Sequence, residues 1–219
     1  MPRILFSKTG DAVWISHLDL MRLFQRAFKR AGMALTHTQG YNPRPSVSIA
    51  LPLSVGVESV CELLDFDLEG EMVPCDEITR RLNEVLVPGV QVLQTYDSGS
   101  KLKELALLQC QILLEYDAGI PAGAADDIKA LFARQSLTVE KKGKNGPVMQ
   151  DIIPMIRRLS IDVRDEHHLT LNGLICCQNP TLNPTQLTAA ISNFLPQCTP
   201  DFVRYRRVDI YTNEEKQFR

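Results

Sequence analysis

Apolar residues recur at helical spacing in one stretch near the start of the chain. Leu20, Leu23, Phe24, Ala27, Phe28 and Ala31 fall three and four apart, the period of a single buried helix face. Ser16 precedes Asp19 at capping-box spacing, with the shorter Asp in place of Glu or Gln. Gly32 supplies a stop, so a helix is expected between these signals. Residues 3–7, 47–51 and 90–96 are β-rich and read as strands. Residues 60–68 alternate acidic and apolar positions near their end and read as a half-exposed strand. Pro74 opens a second helix reaching about residue 86, with Ile78, Leu82, Val85 and Leu86 inward, and Gly89 ends it. The resulting order is β-α-β-β-α-β, a ferredoxin-like pattern with its first and third strands central and both helices on one face.

The second half gives a related order. Residues 107–116 read as a strand, 124–133 as a helix and 137–142 as a strand. A basic, glycine-containing loop follows at 141–147, carrying Lys141, Lys142 and Lys144. Residues 158–163 and 168–176 form a hairpin around Asp165-Glu166. Residues 184–195 are helical and 202–211 form a last strand. The expected fold class is α+β: two tandem ferredoxin-like units, the second with an extra strand. Their expected bounds are 1–98 and 101–219, joined through Asp97-Ser98-Gly99-Ser100.

Charge changes this picture more than composition does. The net charge of −2 hides an asymmetry. Residues 1–50 hold seven Lys or Arg against Asp11 and Asp19, a net of +5, whereas residues 51–98 hold two Arg against ten acidic residues, a net of −8. A local positive field is therefore possible in a weakly acidic protein. Mutual neutralisation of the two stretches is the competing reading.

On the first helix, Asp19, Arg22, Gln25, Arg26, Lys29 and Arg30 are spaced to share the face opposite the apolar one. Four of the six are basic, and the planar fork of Arg suits phosphate and carboxylate, with an ordinary solvated helix face as the competing reading. Just beyond lies Gly40-Tyr41-Asn42-Pro43-Arg44-Pro45. Each proline biases the residue before it towards extended backbone and lowers the entropy lost on ordering the loop. Tyr41, Asn42 and Arg44 would then be displayed in fixed geometry, suited to stacking on an unpaired base and bonding it or its phosphate. The alternative is a simple chain corner with Tyr41 packed. The expected RNA or partner-binding set is thus Arg22, Arg26, Lys29, Arg30, Tyr41, Asn42 and Arg44. His17 occupies the first helical turn, where the helix dipole disfavours its protonated form and leaves it available as an acceptor or base. A facing arrangement of His17 with His37 is also open. Arg204 and Arg206 are spaced to share one face of the last strand.

Several chemistries lack their motifs. There is no G-x-x-x-x-G-K-[ST], no G-x-G-x-x-G after a strand, no G-x-S-x-G and no H-E-x-x-H. The six cysteines form no C-x-x-C, so zinc and iron–sulfur frameworks are unsupported and buried reduced thiols are expected. Neither a metal nor another cofactor is expected. No apolar run approaches the roughly 18 residues of a membrane span, and Met-Pro-Arg-Ile-Leu-Phe-Ser-Lys reads as a strand rather than a signal peptide. A cytoplasmic protein with no membrane partner is the expectation.

The string F-S-K-T-G-D-A-V-W-I-S-H-L-D-L-M-R-L-F-Q-R-A-F-K-R-A-G, followed by Q-G-Y-N-P-R-P and L-P-L-S-V-G-V-E-S, resembles the bacterial radical-SAM-associated family, a domain of unknown function found fused to or encoded beside radical SAM proteins. The match is specific over residues 4–70 and looser beyond. The resemblance implies a radical SAM partner. Because C-x-x-x-C-x-x-C is absent, it implies the accessory part and not the cluster-bearing catalyst. Tandem ferredoxin-like units with a histidine near the first helix are also similar to CRISPR repeat-processing endoribonucleases, although residues 196–219 contain no glycine to match their glycine-rich C-terminal loop.

Three functions are therefore expected in order. The first is an accessory protein that binds RNA or presents substrate to a radical SAM modification enzyme, with tRNA or rRNA as candidate partners. The second is a metal-independent endoribonuclease with His17 as general acid or base. The third is a protein-docking module without RNA contact.

Overall fold

The computed structural model describes residues 2–70, 72–97, 100–143 and 146–219. Lys144-Asn145 of the basic loop and Ser98-Gly99 of the linker lie outside the described residues. The chain is α+β and divides into two compact units, one running to Leu102 and the other from Lys103 to Phe218.

In the first unit, β1 (Pro2–Lys8) pairs antiparallel with both β3 (Glu58–Phe66) and β4 (Val90–Asp97). β2 (Val47–Ala50) pairs antiparallel with β3. The order is β4-β1-β3-β2, with β1 and β3 inside. Helix α1 (His17–Arg30) starts where Ser16 Oγ accepts the Asp19 N–H at 3.3 Å. Its Leu20, Phe24, Ala27 and Phe28 are buried. Phe24 meets Phe6 of β1 edge-on at 4.7 Å between ring centroids, and Phe28 meets Phe66 of β3 at 4.9 Å. These contacts set the helix on the sheet and turn its polar face to solvent. Helix α2 (Cys75–Asn83) buries Ile78 and Leu82. It stops short of residue 86 because Asn83 turns its amide to β4, donating to the Val92 carbonyl at 2.9 Å and accepting the Val92 N–H at 2.8 Å.

The second unit has a four-stranded antiparallel sheet in the order β10-β5-β9-β8. The strands are β5 (Leu105–Glu115), β8 (Ile156–Val163), β9 (His168–Cys176) and β10 (Phe202–Thr212). Helices α3 (Ala124–Phe132) and α4 (Pro184–Phe194) accompany it. Asn183 caps α4 with a full capping box closed by Gln186.

One expectation needs correction here. The extra strand of this unit does not stand alone: β6 (Thr138–Gly143) pairs with β7 (Gly146–Asp151) in a separate two-stranded sheet. Residues 141–143 and 146–147, expected within a basic loop, are therefore strand residues. Pro147 is tolerated because a two-stranded ribbon has only edges.

Candidate nucleic-acid interface

The register of the first unit fixes which residues can meet. Lys8 pairs with Ser59, and Arg3 pairs with Asp65. β1 leads from Lys8 through a 3-10 turn (Gly10–Trp14) directly into α1, so the helix N-terminus lies at the Lys8 end of the sheet. The segment after α1 lies at the other end. There Leu35 bridges Leu68, the Thr36 N–H donates to the Asp67 carbonyl at 3.0 Å, and His37 Nδ1 is 3.7 Å from Glu69. His17 and Arg30 are the first and last residues of a 14-residue helix, about 20 Å apart at 1.5 Å per residue. The facing arrangement of His17 and His37 is therefore not formed: the two belong to opposite ends of the sheet.

Residues 36–46 form a narrow extended loop. The Thr38 N–H donates to the Arg44 carbonyl at 2.8 Å, the Arg44 N–H to Thr38 Oγ1 at 3.0 Å, and the Ser46 N–H to the Thr36 carbonyl at 2.8 Å. His37 bridges Pro45. Gly40 sits at the tip with φ 144°, a backbone region open to glycine. Asn42 and Arg44 are exposed, and Tyr41 is 99% exposed, so the packed alternative for Tyr41 is not realised.

On α1, Arg22, Arg26, Lys29 and Arg30 are all exposed, but they are not equivalent. Arg22 contacts Asp19 Oδ1 at 3.0 Å within the helix. The Ser16 hydroxyl, donating to Asp19 at 2.8 Å, and then the Arg22 guanidinium hold that carboxyl below its usual range. Arg30 donates to the Val85 carbonyl at 2.7 Å and so helps close the chain after α2. Arg26 and Lys29 have no ion pair among the described residues. Among the described residues no basic side chain of α1 pairs with the acidic stretch 58–77: Asp65 is held by Arg3 at 2.6 Å, Asp67 by Thr36 at 3.1 Å, and Glu77 by Arg80 and Arg81 at 2.7 Å each. Paired with both arginines, Glu77 has its pKa brought down to about 2. Neutralisation of α1 by that stretch is thus not what the described side chains do.

His17 is half-buried beside Trp14 and Leu18, which are 69% and 66% exposed. Trp14 lies against Gly56 of the loop before β3. Sequence reasoning passed over this exposed pair, and the only signal was an apolar residue on the helix face that carries Arg22. It also passed over Lys8 and Glu62, which are 1% and 0% exposed. Lys8 donates to the Val13 carbonyl at 3.0 Å beneath the 3-10 turn. Burial pushes its pKa down, and the Glu62 carboxylate partly offsets that.

His167 Nδ1 bonds the Tyr116 carbonyl at 2.8 Å, and His168 Nδ1 lies 2.7 Å from Asp165. Arg204 and Arg206 are exposed on β10, and Arg204 pairs with Glu115. All cysteines but Cys75 are buried, and burial lifts Cys110 and Cys177 to about 12. Among the described residues no three His, Cys, Asp or Glu side chains are grouped to hold a metal ion, and no helix is long and apolar enough to cross a membrane.

A family model matches residues 2–184. No curated protein matches the chain. One similar solved structure is a "Crystal Structure of an Unknown Protein from Galdieria sulphuraria", 11% identical, covering 94% of this chain and 97% of that one with a TM-score of 0.27.

Proposed function

We propose that this chain, which belongs to the bacterial family described as "Uncharacterized protein conserved in bacteria" (DUF2344), is an accessory protein that binds RNA or presents it to a modification enzyme. One observation carries the reading: exposed cations on α1, of which Arg26 and Lys29 have no ion pair among the described residues. The narrow loop supports it by displaying Tyr41 fully to solvent, available to stack on an unpaired base. The resemblance of residues 4–70 to radical-SAM-associated proteins supports a radical SAM enzyme as the partner. We read each unit as ferredoxin-like, since each main sheet has its first and third strands inside.

Phosphate contacts from Arg26 and Lys29, joined by Arg22 where it leaves Asp19, make binding salt-dependent through counterion release. Arg30 is left in place in the test because it bonds the Val85 carbonyl. RNA binding by the wild type and by an Arg22→Ala, Arg26→Ala, Lys29→Ala variant is measured across a salt series. Folding is checked by circular dichroism. For single-stranded RNA the log–log salt slope should flatten by about 1.4 units in the variant, near 0.7 for each of Arg26 and Lys29, because Arg22 is already held by Asp19. A Tyr41→Ala variant should weaken binding with no change of slope. Equal RNA binding by wild type and triple variant removes the reading. Weakened capture of a radical SAM protein without any RNA effect would replace it with protein docking.

A further inference from the structure

The second unit carries a concavity that the reading above does not use. The starts of β5 and β8 and the ends of β9 and β10 come together at one end of its sheet, as the pairs Leu105–Thr212, Leu107–Cys176 and Ile156–Ile175 require. A cavity of about 430 Å³ opens there. Its polar lining is Lys103, Arg157, Gln178, Asn179 and Asn213, and its apolar lining includes Leu105 and Cys176. Among the described residues no carboxylate lines it.

We propose that this cavity binds a phosphate monoester carried on an organic body. Two cations and three amides with no acid among them make a donor-rich site. A monoester has close to two negative charges at neutral pH, which matches one Lys and one Arg better than a single carboxylate does. Arg157 is held for the task by a neutral partner: its Nη2 donates to Asn213 Oδ1 at 3.0 Å, which orients the guanidinium without cancelling its charge. The neighbouring carboxylates are occupied elsewhere. Glu215 holds Arg158 at 2.8 Å and Glu214 holds Lys216 at 2.7 Å. Glu104 is exposed in the turn beside Lys103 and does not line the cavity. A third cation, Lys141, grips the same loop, its Nζ donating to the Thr181 carbonyl at 3.0 Å. The volume lies within the range of small-molecule sites, about 300–1,000 Å³, and exceeds what a bare phosphate fills. The organic part therefore rests on the apolar lining. An RNA 5′ end and a free nucleotide share this chemistry.

The test uses the full chain and calorimetric titration with four probes: a mixed-sequence RNA octamer with a 5′-phosphate, the same octamer with a 5′-hydroxyl, uridine 5′-monophosphate, and inorganic phosphate. The phosphorylated octamer should bind more tightly than the hydroxyl octamer. A Lys103→Gln, Arg157→Gln variant, altered only at exposed positions, should lose that preference with a drop of about tenfold or more, the scale of lost charge-assisted bonds. The α1 triple variant should keep the preference even where its total RNA affinity falls, so this inference and the α1 reading fail separately. Binding of uridine monophosphate with no gain from the octamer assigns the site to a free nucleotide. Binding of inorganic phosphate alone, equal affinity for both octamers without mononucleotide binding, or unchanged binding by the double variant overturns the proposal.

Discussion

Gly89 joins the α2 end of the first unit to the turn that launches α1, and replacing it tests whether that approach is as tight as the backbone indicates. Its carbonyl accepts the Thr9 N–H at 2.8 Å. A Cβ at this position would lie 2.4 Å from the Thr9 carbonyl oxygen and 2.9 Å from Ala12 Cβ, with φ at +84°. Three costs add for Gly89→Ala. The left-handed backbone costs about 1 kcal/mol for a residue with a Cβ. Forcing a methyl into packed surroundings costs about 1–3 kcal/mol. Lengthening the Thr9 bond costs about 1 kcal/mol. The expected loss is roughly 3–5 kcal/mol. Gly32→Ala is the control: Gly32 has φ at +71° with nothing within 4 Å of its Cβ position, so only the first cost, about 1 kcal/mol, applies. Urea denaturation followed by far-ultraviolet circular dichroism reads both. The gap between the variants should be at least about 2 kcal/mol. Equal losses would show that the turn yields freely and that Gly89 serves only its dihedral angle.

Phe24→Ala should cost about 3–5 kcal/mol in urea denaturation, because the ring is fully buried edge-on against Phe6. Asp151 Oδ1 accepts the Leu137 N–H at 2.9 Å and the Ile153 N–H at 3.1 Å, and these bonds, the Leu137 one first, hold its carboxyl below the usual range. Its contribution is therefore present above its unfolded pKa, about 3.9, and lost as pH falls through the lower folded value. Between pH 6 and 3 the urea midpoint should fall further in the wild type than in Asp151→Asn. In native protein a thiol reagent should label Cys75 alone and slowly, since the other five cysteines are buried and burial lifts the Cys75 thiol. Mass spectrometry counts the labels.

What could be read from sequence divides along physical lines. α1 was legible because its apolar period, its Ser16 cap and Gly32 agree, and each acts within four residues. β7 was not, because Gly146 and Pro147 break the strand signal and Val148 and Met149 are exposed, so no alternation points to a core. The end of α2 depends on Asn83 finding Val92, a bond absent from any local pattern. Arg30 shows the limit for sites. Spacing places it with Arg22 and Arg26, yet its partner is a carbonyl 55 residues away. The phosphate-site residues are scattered from Lys103 to Asn213 and meet only because four strand ends coincide.

Asp19 is the one acid on the cationic face of α1, and its placement sharpens the electrostatic argument. It sits in the first turn, where a negative charge suits the helix dipole, and it accepts from both Ser16 and Arg22. It therefore serves the helix start while occupying one of the cations proposed to meet RNA. Asp19→Asn keeps an oxygen for Ser16 and removes the charge that draws Arg22 back along the helix. If phosphates are what α1 meets, the variant should bind RNA more tightly at low salt, and its log–log salt slope should steepen by about 0.7 for a released single-strand contact. The helix should start with slightly lower stability. A protein-docking face predicts no change in RNA affinity at any salt. An unchanged or flatter slope would show that Arg22 and its neighbours do not face phosphate, and would leave the row of cations on α1 as a solvated surface.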